Sequence, residues 1–199
     1  EEHAEEVAAI TLRATQELKI ESALASITRT WESTSFEMAK YKKDGKERGW
    51  VLRSADDIQL ELEDQLLNLQ TMGASRFVRP FLEQVSTWTK KLNVVVDCID
   101  VWFRVQQKWM YLESIFQGSE DIRLQLPDEA KRFDQVDKRW KEIMTATSKN
   151  PNVLHACTTD NQVQTLTVLS DRLDRLQKSL TDYLNSKRGA FPRFFFLSD

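Results

Sequence analysis

The chain has 199 residues with a formal net charge of −3, and 41% of its residues are hydrophobic. Six Trp and ten Phe are too much apolar surface for a disordered chain, and this length accommodates one large domain or two small ones. Because 28 basic residues are balanced by 31 acidic ones, nucleic-acid binding through bulk electrostatics is disfavoured. Five Gly and four Pro are well below average usage, so we expect long helices and neither a glycine-rich Rossmann domain nor a tightly turned β-barrel.

The sequence carries no sign of a membrane-spanning or secretory segment. Its longest apolar runs, such as residues 94–96, are only a few residues long, and the acidic start at Glu1 and Glu2 is unlike a signal peptide. Cys98 and Cys157 are far apart in the sequence, which is typical of reduced thiols in a cytosolic protein. Since the chain does not begin with Met, we expect it to be a piece of a longer protein.

Residues 4–32 are predicted to form a helix and residues 35–53 a β-hairpin. In the first segment, apolar side chains recur at near-helical spacing without Gly or Pro. These side chains are Val7, Ile10, Ala14, Leu18, Leu24, Ile27 and Trp31. In the second segment, apolar and polar residues alternate on either side of Asp44 and Gly45, a dipeptide typical of a two-residue hairpin turn.

The next helix is predicted at 55–72. Ser54 followed three residues later by Asp57 resembles a capping box at its start. Gly73 stands just past its predicted end, where C-cap glycines are common.

A much longer helix is predicted at 79–117. Its apolar residues follow alternating four- and three-residue steps, which gives a heptad-like stripe on a helix about 57 Å long. The stripe consists of Phe81, Val85, Trp88, Leu92, Val95, Ile99, Trp102, Trp109 and Phe116. Gln106 and Glu113 occupy two positions where the pattern calls for an apolar residue. The core of a globular enzyme seldom needs such a rod.

Two further helices are predicted at 128–148 and 160–188, separated by a connector at 152–159. Pro127 suits the first turn of the earlier helix, and Pro151 ends it.

An extended apolar tail is predicted at 190–197, after Gly189 caps the last helix. We therefore predict a mainly α protein, an elongated bundle of long antiparallel helices that carries one β-hairpin.

No catalytic, metal-binding or cofactor-binding residue is predicted. Residues 45–49 contain two glycines and a lysine, but their spacing does not match a phosphate-binding P-loop. His155 and Cys157 come nearest to a pair of metal ligands, and the sequence has no second pair to complete a site. Cys98 lies beside the apolar stripe, which is typical of a small hydrophobic core residue and not of a nucleophile.

The hairpin tip is locally basic and allows two interpretations. It is either a solvated hairpin end or a contact that docks on an acidic surface through electrostatic steering. The basic residues are Lys42, Lys43, Lys46 and Arg48.

The tryptophans of the helices are candidates for the core or for a partner interface, with the core favoured. They are Trp88, Trp102, Trp109 and Trp140. Three breaks between helices are candidate hinges, because Gly frees the backbone and Pro prevents helix continuation. They are Gly73, Gly118 and Pro151.

Four stretches of sequence carry a resemblance to a known family. They are QKWMYLESIF at 107–116, LPDEAKRF at 126–133, QKSLTDYL at 177–184 and KRGAFPRFFFLSD at 187–199. In this order they resemble the linker region, N-terminal region 2, of dynein heavy chains of the axonemal type. The chain as a whole, 1–199, is accordingly identified as a fragment of that linker.

The resemblance implies a mechanical role in cilia or flagella. In dyneins the linker is a helical arm that lies across a ring of six AAA+ ATPase modules and swings as the first module binds and hydrolyses ATP. The implied ATP and Mg²⁺ sites lie in the downstream ring of the parent chain, with none in this segment. The implied partner of the hairpin is the ring of the same heavy chain. Intermediate chains, light chains and microtubules contact other regions of the parent, and neither nucleic acid nor membrane is an expected partner.

The resemblance also assigns a place to the apolar tail. It leads toward the first ATPase module, through Phe191, Pro192, Arg193, Phe194, Phe195 and Phe196.

Two alternatives to a motor lever remain at this stage. One is a spectrin-like helical scaffold that binds protein partners through its helical faces. The other is an enzyme domain with an unrecognised site. A P-loop module soon after residue 199 of the parent sequence would favour the lever, whereas further helical repeats would favour the scaffold.

Overall fold

The computed structural model describes residues 2–159 and 161–190. Within them the fold is mainly α-helical with one two-stranded antiparallel hairpin, which confirms the predicted fold class. The elements are α1 (Glu2–Ser33), β1 (Met38–Lys43), β2 (Lys46–Leu52), α2 (Asp56–Gly73), a 3₁₀ turn (Arg79–Phe81), α3 (Leu82–Phe116), α4 (Glu120–Gln125), α5 (Pro127–Lys149), α6 (Val153–Thr158) and α7 (Gln162–Ala190). None of these helices combines the length and the apolar character needed to cross a membrane.

The hairpin turn forms at the predicted dipeptide. Asp44 and Gly45 both have positive φ, at 52° and 72°. A two-residue type I′ turn requires positive φ at both central positions, and Asp-Gly meets that requirement with little strain.

Helix ends differ from the predictions at two glycines. Gly73 is the last residue of α2 and not its cap, because the N–H of Ala74 closes the helix on the carbonyl of Gln70. Gly189 lies inside α7, which continues to Ala190. A single Gly costs a helix only about 1 kcal/mol relative to Ala, too little to end one by itself.

The predicted capping box at the start of α2 is also wrong. The N-cap residue is Ala55, whose side chain makes no capping bond. The Ser54 hydroxyl accepts a hydrogen bond from the N–H of Asp56 at 3.2 Å, two residues ahead, and so forms a local turn just before the helix.

Two six-residue helices, α4 and α6, were missed by the sequence analysis. α6 replaces most of the predicted connector at 152–159. A six-residue helix is less than two turns long, so apolar periodicity cannot reveal it. Both helices begin at a capping side chain: Ser119 accepts from the N–H of Ile122, and Asn152 from that of His155.

The start of α3 and the tail complete the comparison with the predictions. The first turn of the predicted 79–117 helix is the 3₁₀ turn, in which the N–H of Phe81 bonds the carbonyl of Val78. Of the predicted tail at 190–197, residues 191–197 lie outside the described residues, and Ala190 ends α7.

The chain divides into two compact units. Unit 1 comprises the residues up to Ala39, Leu52–Ile99 and Thr147–Gln162. Unit 2 comprises Lys40–Val51, Asp100–Ala146 and the described residues from Val163 to Ala190.

The core of unit 1 contains side chains from α1, α2, α3 and α6. Its fully buried members include Ile27, Trp31, Leu62, Leu69, Leu92, Val95, Ile99 and Val153. The first half of α1 contributes nothing to this core: Val7, Ile10 and Leu18 are exposed at 62%, 63% and 63%. The first buried side chain of α1 is that of Ile20.

The core of unit 2 contains side chains from α3, α5 and α7. Fully buried members include Trp102, Val105, Trp109, Leu112, Phe116, Phe133, Trp140, Leu166 and Leu173. The rings of Phe116 and Phe133 are stacked with centroids 5.2 Å apart. Stacked and edge-on aromatic pairs add stabilisation beyond the apolar area they bury.

One side chain in unit 1, Asn152, joins the end of α1 to the start of α6. Its Nδ2 lies 3.1 Å from the carbonyl oxygens of Trp31 and Glu32 and 3.3 Å from that of Thr34. Its Oδ1 accepts from the N–H of His155 at 2.8 Å. The same amide therefore satisfies unpaired carbonyls at one helix end and an unpaired N–H at another.

We expect Asn152→Ala to lower the free energy of unfolding by about 1–3 kcal/mol, because both sets of bonds are lost. Asn152→Ser should recover part of the loss, since Ser is a good N-cap for α6 but is too short to reach the α1 carbonyls. Urea unfolding measures these differences. Asn185→Ala, at an exposed position of α7, is the control. Equal effects of Asn152→Ala and the control would contradict this role of Asn152.

Candidate functional site

The basic hairpin packs on α3 within unit 2 through a row of aromatic rings. Tyr41 of β1 meets Trp109 edge-on with centroids 5.5 Å apart, and Trp109 lies 5.5 Å from Trp140 of α5. Trp109 and Trp140 are completely buried. The hairpin is thus held on the helices by a continuous apolar contact.

A buried ion pair, Arg48 with Glu113, lies in the same contact. The Glu113 side chain of α3 is 1% exposed, and its Oε1 lies 3.5 Å from Nε of Arg48 on β2. Within the described part of the chain, neither carboxylate oxygen of Glu113 nor Nε of Arg48 has a hydrogen-bond partner. A buried charge is costly unless it is paired, so the Arg48 guanidinium offsets part of the cost of burying Glu113.

Further charged groups lie around Glu113. Asp137 accepts from Trp109 Nε1 at 2.9 Å and from Lys141 Nζ at 2.7 Å. Burial raises the pKa of Glu113 and the charge of Asp137 adds to that effect, whereas Arg48 and Lys141 act in the opposite direction. Burial also raises the pKa of Tyr41, and the Glu113 charge contributes to that shift.

The structure separates the four basic residues predicted at the hairpin tip. Arg48 is partly buried on Glu113, and Lys43 is half-buried, with a charge that acts to lower the pKa of Glu113. Lys42 and Lys46 are exposed and form no ion pair with the described residues. These two lysines therefore offer positive charge to solvent, with the exposed carboxylate of Asp44 between them in the sequence.

A fifth basic side chain, Lys40, is engaged within the hairpin. Its Nζ lies 2.5 Å from Glu47 Oε1 and 4.1 Å from the centre of the Trp50 ring. This cross-strand pair joins β1 to β2 at the exposed face and adds modestly to their pairing.

The candidate aromatics fall into two groups. Trp102, Trp109 and Trp140 are completely buried in unit 2, and the indole N–H of Trp102 points to Met144 Sδ at 3.2 Å. Trp88, in unit 1, is half-buried, with Lys91 Nζ 5.2 Å from its ring centre.

The candidate hinges occupy different environments. At Gly118 an added Cβ would lie 2.4 Å from the carbonyl oxygen of Ser114, so this position excludes other residues unless the backbone shifts. The Pro151 carbonyl accepts from the N–H of Phe36 at 2.7 Å. Gly73 is exposed at the end of α2.

The groups that sequence analysis considered for chemistry are also located. Cys98 and Cys157 are buried in unit 1 and hydrogen-bond to each other, which together with burial raises the pKa of Cys157. A thiol with a raised pKa forms little thiolate, the nucleophilic species, and is therefore a poor nucleophile. His155 is exposed, with its Nδ1 3.4 Å from the Thr159 hydroxyl. In residues 2–159 and 161–190, no three His, Cys, Asp or Glu side chains are grouped as metal ligands.

Glu113 is the site residue that the sequence analysis did not identify as functional. The signal was present, because Glu113 interrupts the apolar stripe of the long helix. A charged residue at a buried position requires a partner of opposite charge. The basic hairpin offered several candidates, and only the folded structure selects Arg48.

We expect Arg48→Met to lower the free energy of unfolding by about 3–5 kcal/mol at about pH 8, because Glu113 is then buried without its cation. The double variant Arg48→Met/Glu113→Leu removes both charges and should recover most of that loss. Urea unfolding of the two variants and of Glu113→Leu alone completes the cycle. A double variant as unstable as Arg48→Met would show that Arg48 acts through packing and not through charge.

The same variants should differ in pH dependence. A carboxyl group whose pKa is raised in the folded state stabilises that state less as pH rises through the folded pKa. Because Arg48 opposes the raised pKa of Glu113, Arg48→Met should destabilise less at about pH 5 than at about pH 8. This pH difference should be absent in the Glu113→Leu background.

Comparison with known proteins places the chain in a family. The family model described as dynein heavy chain, N-terminal region 2, matches residues 1–199. The dynein-1-alpha heavy chain of the flagellar inner arm I1 complex of Chlamydomonas reinhardtii is 54% identical over 197 residues, which cover 99% of this chain and 4% of that protein. Human dynein axonemal heavy chain 10 is 48% identical over 197 residues, again 99% of this chain and 4% of that protein.

A further relative agrees with these. Mouse dynein axonemal heavy chain 2 is 43% identical over 199 residues, which are 100% of this chain and 4% of that protein. The chain thus spans a small fraction of the length of its relatives. The predicted resemblance to N-terminal region 2 of axonemal heavy chains is confirmed. Because the family model covers every residue and the identities are this high, the chain belongs to the dynein heavy chain family, in which it corresponds to N-terminal region 2.

Proposed function

We propose that the chain is a mechanical linker segment of an axonemal dynein heavy chain. It acts as a lever that transmits the ATP-driven conformational change of a downstream ATPase ring into movement along microtubules. The observation that carries the proposal, beside family membership, is α3. This helix runs for 35 residues without interruption, which corresponds to about 52 Å.

A lever must resist bending, and the packing of α3 supports that role. Every backbone N–H inside a regular helix bonds the carbonyl four residues earlier, so bending it requires many bonds to distort together. In unit 2 the α3 side chains of Trp102, Trp109 and Phe116 are completely buried. In unit 1 Leu92 and Val95 of the same helix are completely buried.

The proposal places the chemistry outside this segment. ATP and Mg²⁺ act in the ring of the parent chain, and no cofactor acts in residues 1–199. The parent works in the axoneme of a cilium or flagellum, in keeping with the axonemal and flagellar names of its relatives. The partners of the segment are the ring of its own heavy chain and, through other regions of the parent, intermediate chains, light chains and microtubules.

Stiffness can be tested by substitutions at three exposed positions of α3, Lys90, Asp97 and Gln107. Replacement by Gly should lower helix stability by about 1 kcal/mol per site relative to Ala. In the intact heavy chain, the Gly variant should glide microtubules more slowly than the Ala variant while retaining ATP hydrolysis. The Ala variant is the matched control because it removes the same side chains.

The proposal fails if the Gly and Ala variants give the same ratio of gliding velocity to ATPase rate. A static scaffold would behave in that way, since it holds its partners without transmitting a stroke. Circular dichroism checks that the Gly variant retains its helices.

We further propose that the hairpin docks on the ring through Lys42 and Lys46. Both are exposed on a hairpin that contacts α3 through Arg48 and Tyr41. Lys42→Gln/Lys46→Gln in the intact motor should leave the unfolding midpoint unchanged and alter gliding velocity or ATPase coupling, with a smaller effect at high salt. The control is Lys19→Gln/Lys90→Gln, two exposed lysines elsewhere. Unchanged gliding would exclude docking through these lysines.

A further inference from the structure

A groove of about 400 Å³ lies between α5 and α7 within unit 2. It is lined by Arg132, Gln135, Val136, Arg172, Arg175, Leu176 and Ser179. Val136 and Leu176 are 1% and 3% exposed and form an apolar floor. The polar side chains surround that floor, so the groove combines an apolar floor with a cationic rim.

The three arginines lack the ion pairs that several other basic residues of unit 2 form. Arg123 pairs with Asp134, Lys108 with Asp174 and Lys141 with Asp137, all through nitrogen–oxygen distances of 2.5–2.7 Å. Arg132, Arg172 and Arg175 are exposed and have no ion pair with any described residue.

Three guanidinium groups that form no ion pair with a described residue line one cavity, in a chain whose net charge is −3. Like charges in proximity repel one another, and an anionic ligand would relieve that repulsion. The planar guanidinium presents paired N–H donors that match the two oxygens of a carboxylate.

We propose that this groove binds an acidic protein segment in which carboxylates flank an apolar side chain. The carboxylates would pair with Arg132, Arg172 and Arg175, and the apolar side chain would rest on Val136 and Leu176. The Gln135 amide and the Ser179 hydroxyl are placed at the rim, where they can hydrogen-bond to the backbone of the segment. This site is separate from the hairpin contact and does not depend on the proposed lever.

The lining favours a protein segment over other anions. A nucleic acid needs a long basic surface to follow its phosphates, whereas this groove offers three arginines in a chain with more acidic than basic residues. A free phosphate would use the guanidinium groups and leave the apolar floor uncovered. The small size of the groove predicts weak binding that is sensitive to salt.

The probe is a fluorescein-labelled peptide of about twelve residues in which glutamates flank leucines at helical spacing. Fluorescence anisotropy with the full chain should give saturable binding that weakens as salt is added. Arg172→Glu/Arg175→Glu should weaken it by at least about tenfold, which is about 1.4 kcal/mol. Arg172→Lys/Arg175→Lys should give an intermediate loss, because charge is kept and the paired donors are not.

The matched control is Lys178→Glu, which reverses a charge on an exposed position of α7 outside the groove lining. It should change binding by less than about twofold, and thermal unfolding followed by circular dichroism checks that each variant folds. A peptide with serine in place of leucine tests the floor and should bind more weakly than the parent peptide.

Four results would overturn the proposal. The first is no binding of the peptide up to about 1 mM, the limit of a meaningful contact. The second is equal binding to the wild type and to Arg172→Glu/Arg175→Glu. The third is equal binding of the serine and leucine peptides, since the apolar floor would then take no part in recognition. The fourth is tighter binding of ATP or inorganic phosphate at the same arginines, which would assign the groove to an anion and not to a protein segment.

Discussion

The continuity of α3 is the constraint on which the rest of the structure depends. A helix of 35 residues is stable in water only if one side of it is buried, because propensity alone contributes little. Burial of a large apolar side chain contributes about 1.5–3 kcal/mol, and α3 buries several such side chains in each unit. In unit 2 these side chains are buried together with side chains of α5 and α7, and in unit 1 together with side chains of α1 and α2. The heptad-like spacing of the stripe keeps the buried side chains on one face, so the rod can be long without being unstable.

Two polar residues interrupt that stripe, and one of them, Glu113, positions the hairpin. Gln106 and Glu113 are both buried, and a buried charge without a partner would destabilise the fold. Glu113 instead obtains a cation from the hairpin, so an element with only two strands is positioned by a charge on the helix. Removing Arg48 alone would leave the Glu113 charge buried, whereas the pair as a whole contributes more to the orientation of the hairpin than to stability. This arrangement leaves Lys42 and Lys46 facing solvent.

Side-chain hydrogen bonds, as well as apolar burial, stabilise the connections between the helices. Asn152 serves two helix ends at once, and Ser119 begins α4 by accepting from Ile122. These caps occupy the breaks that the sequence marks with Gly118 and Pro151. A motor segment needs defined geometry at such points, because a loosely held joint would absorb the movement that the helices are proposed to transmit.

The sequence by itself determined the helical class, the long apolar stripe, the turn at Asp44 and Gly45 and the family resemblance, since each depends on local spacing or on matching residues. Tertiary structure decided the rest. Short helices such as α6 depend on one capping bond, and the exposure of Val7 and Ile10 depends on which surfaces lie nearby. The choice of Arg48 over three neighbouring lysines, and the gathering of Arg132, Arg172 and Arg175 around one groove, arise from contacts between residues distant in the chain. Periodicity shows which face of a helix is apolar. Only packing determines which residues contact that face, and which residues contact the polar side chains that interrupt it.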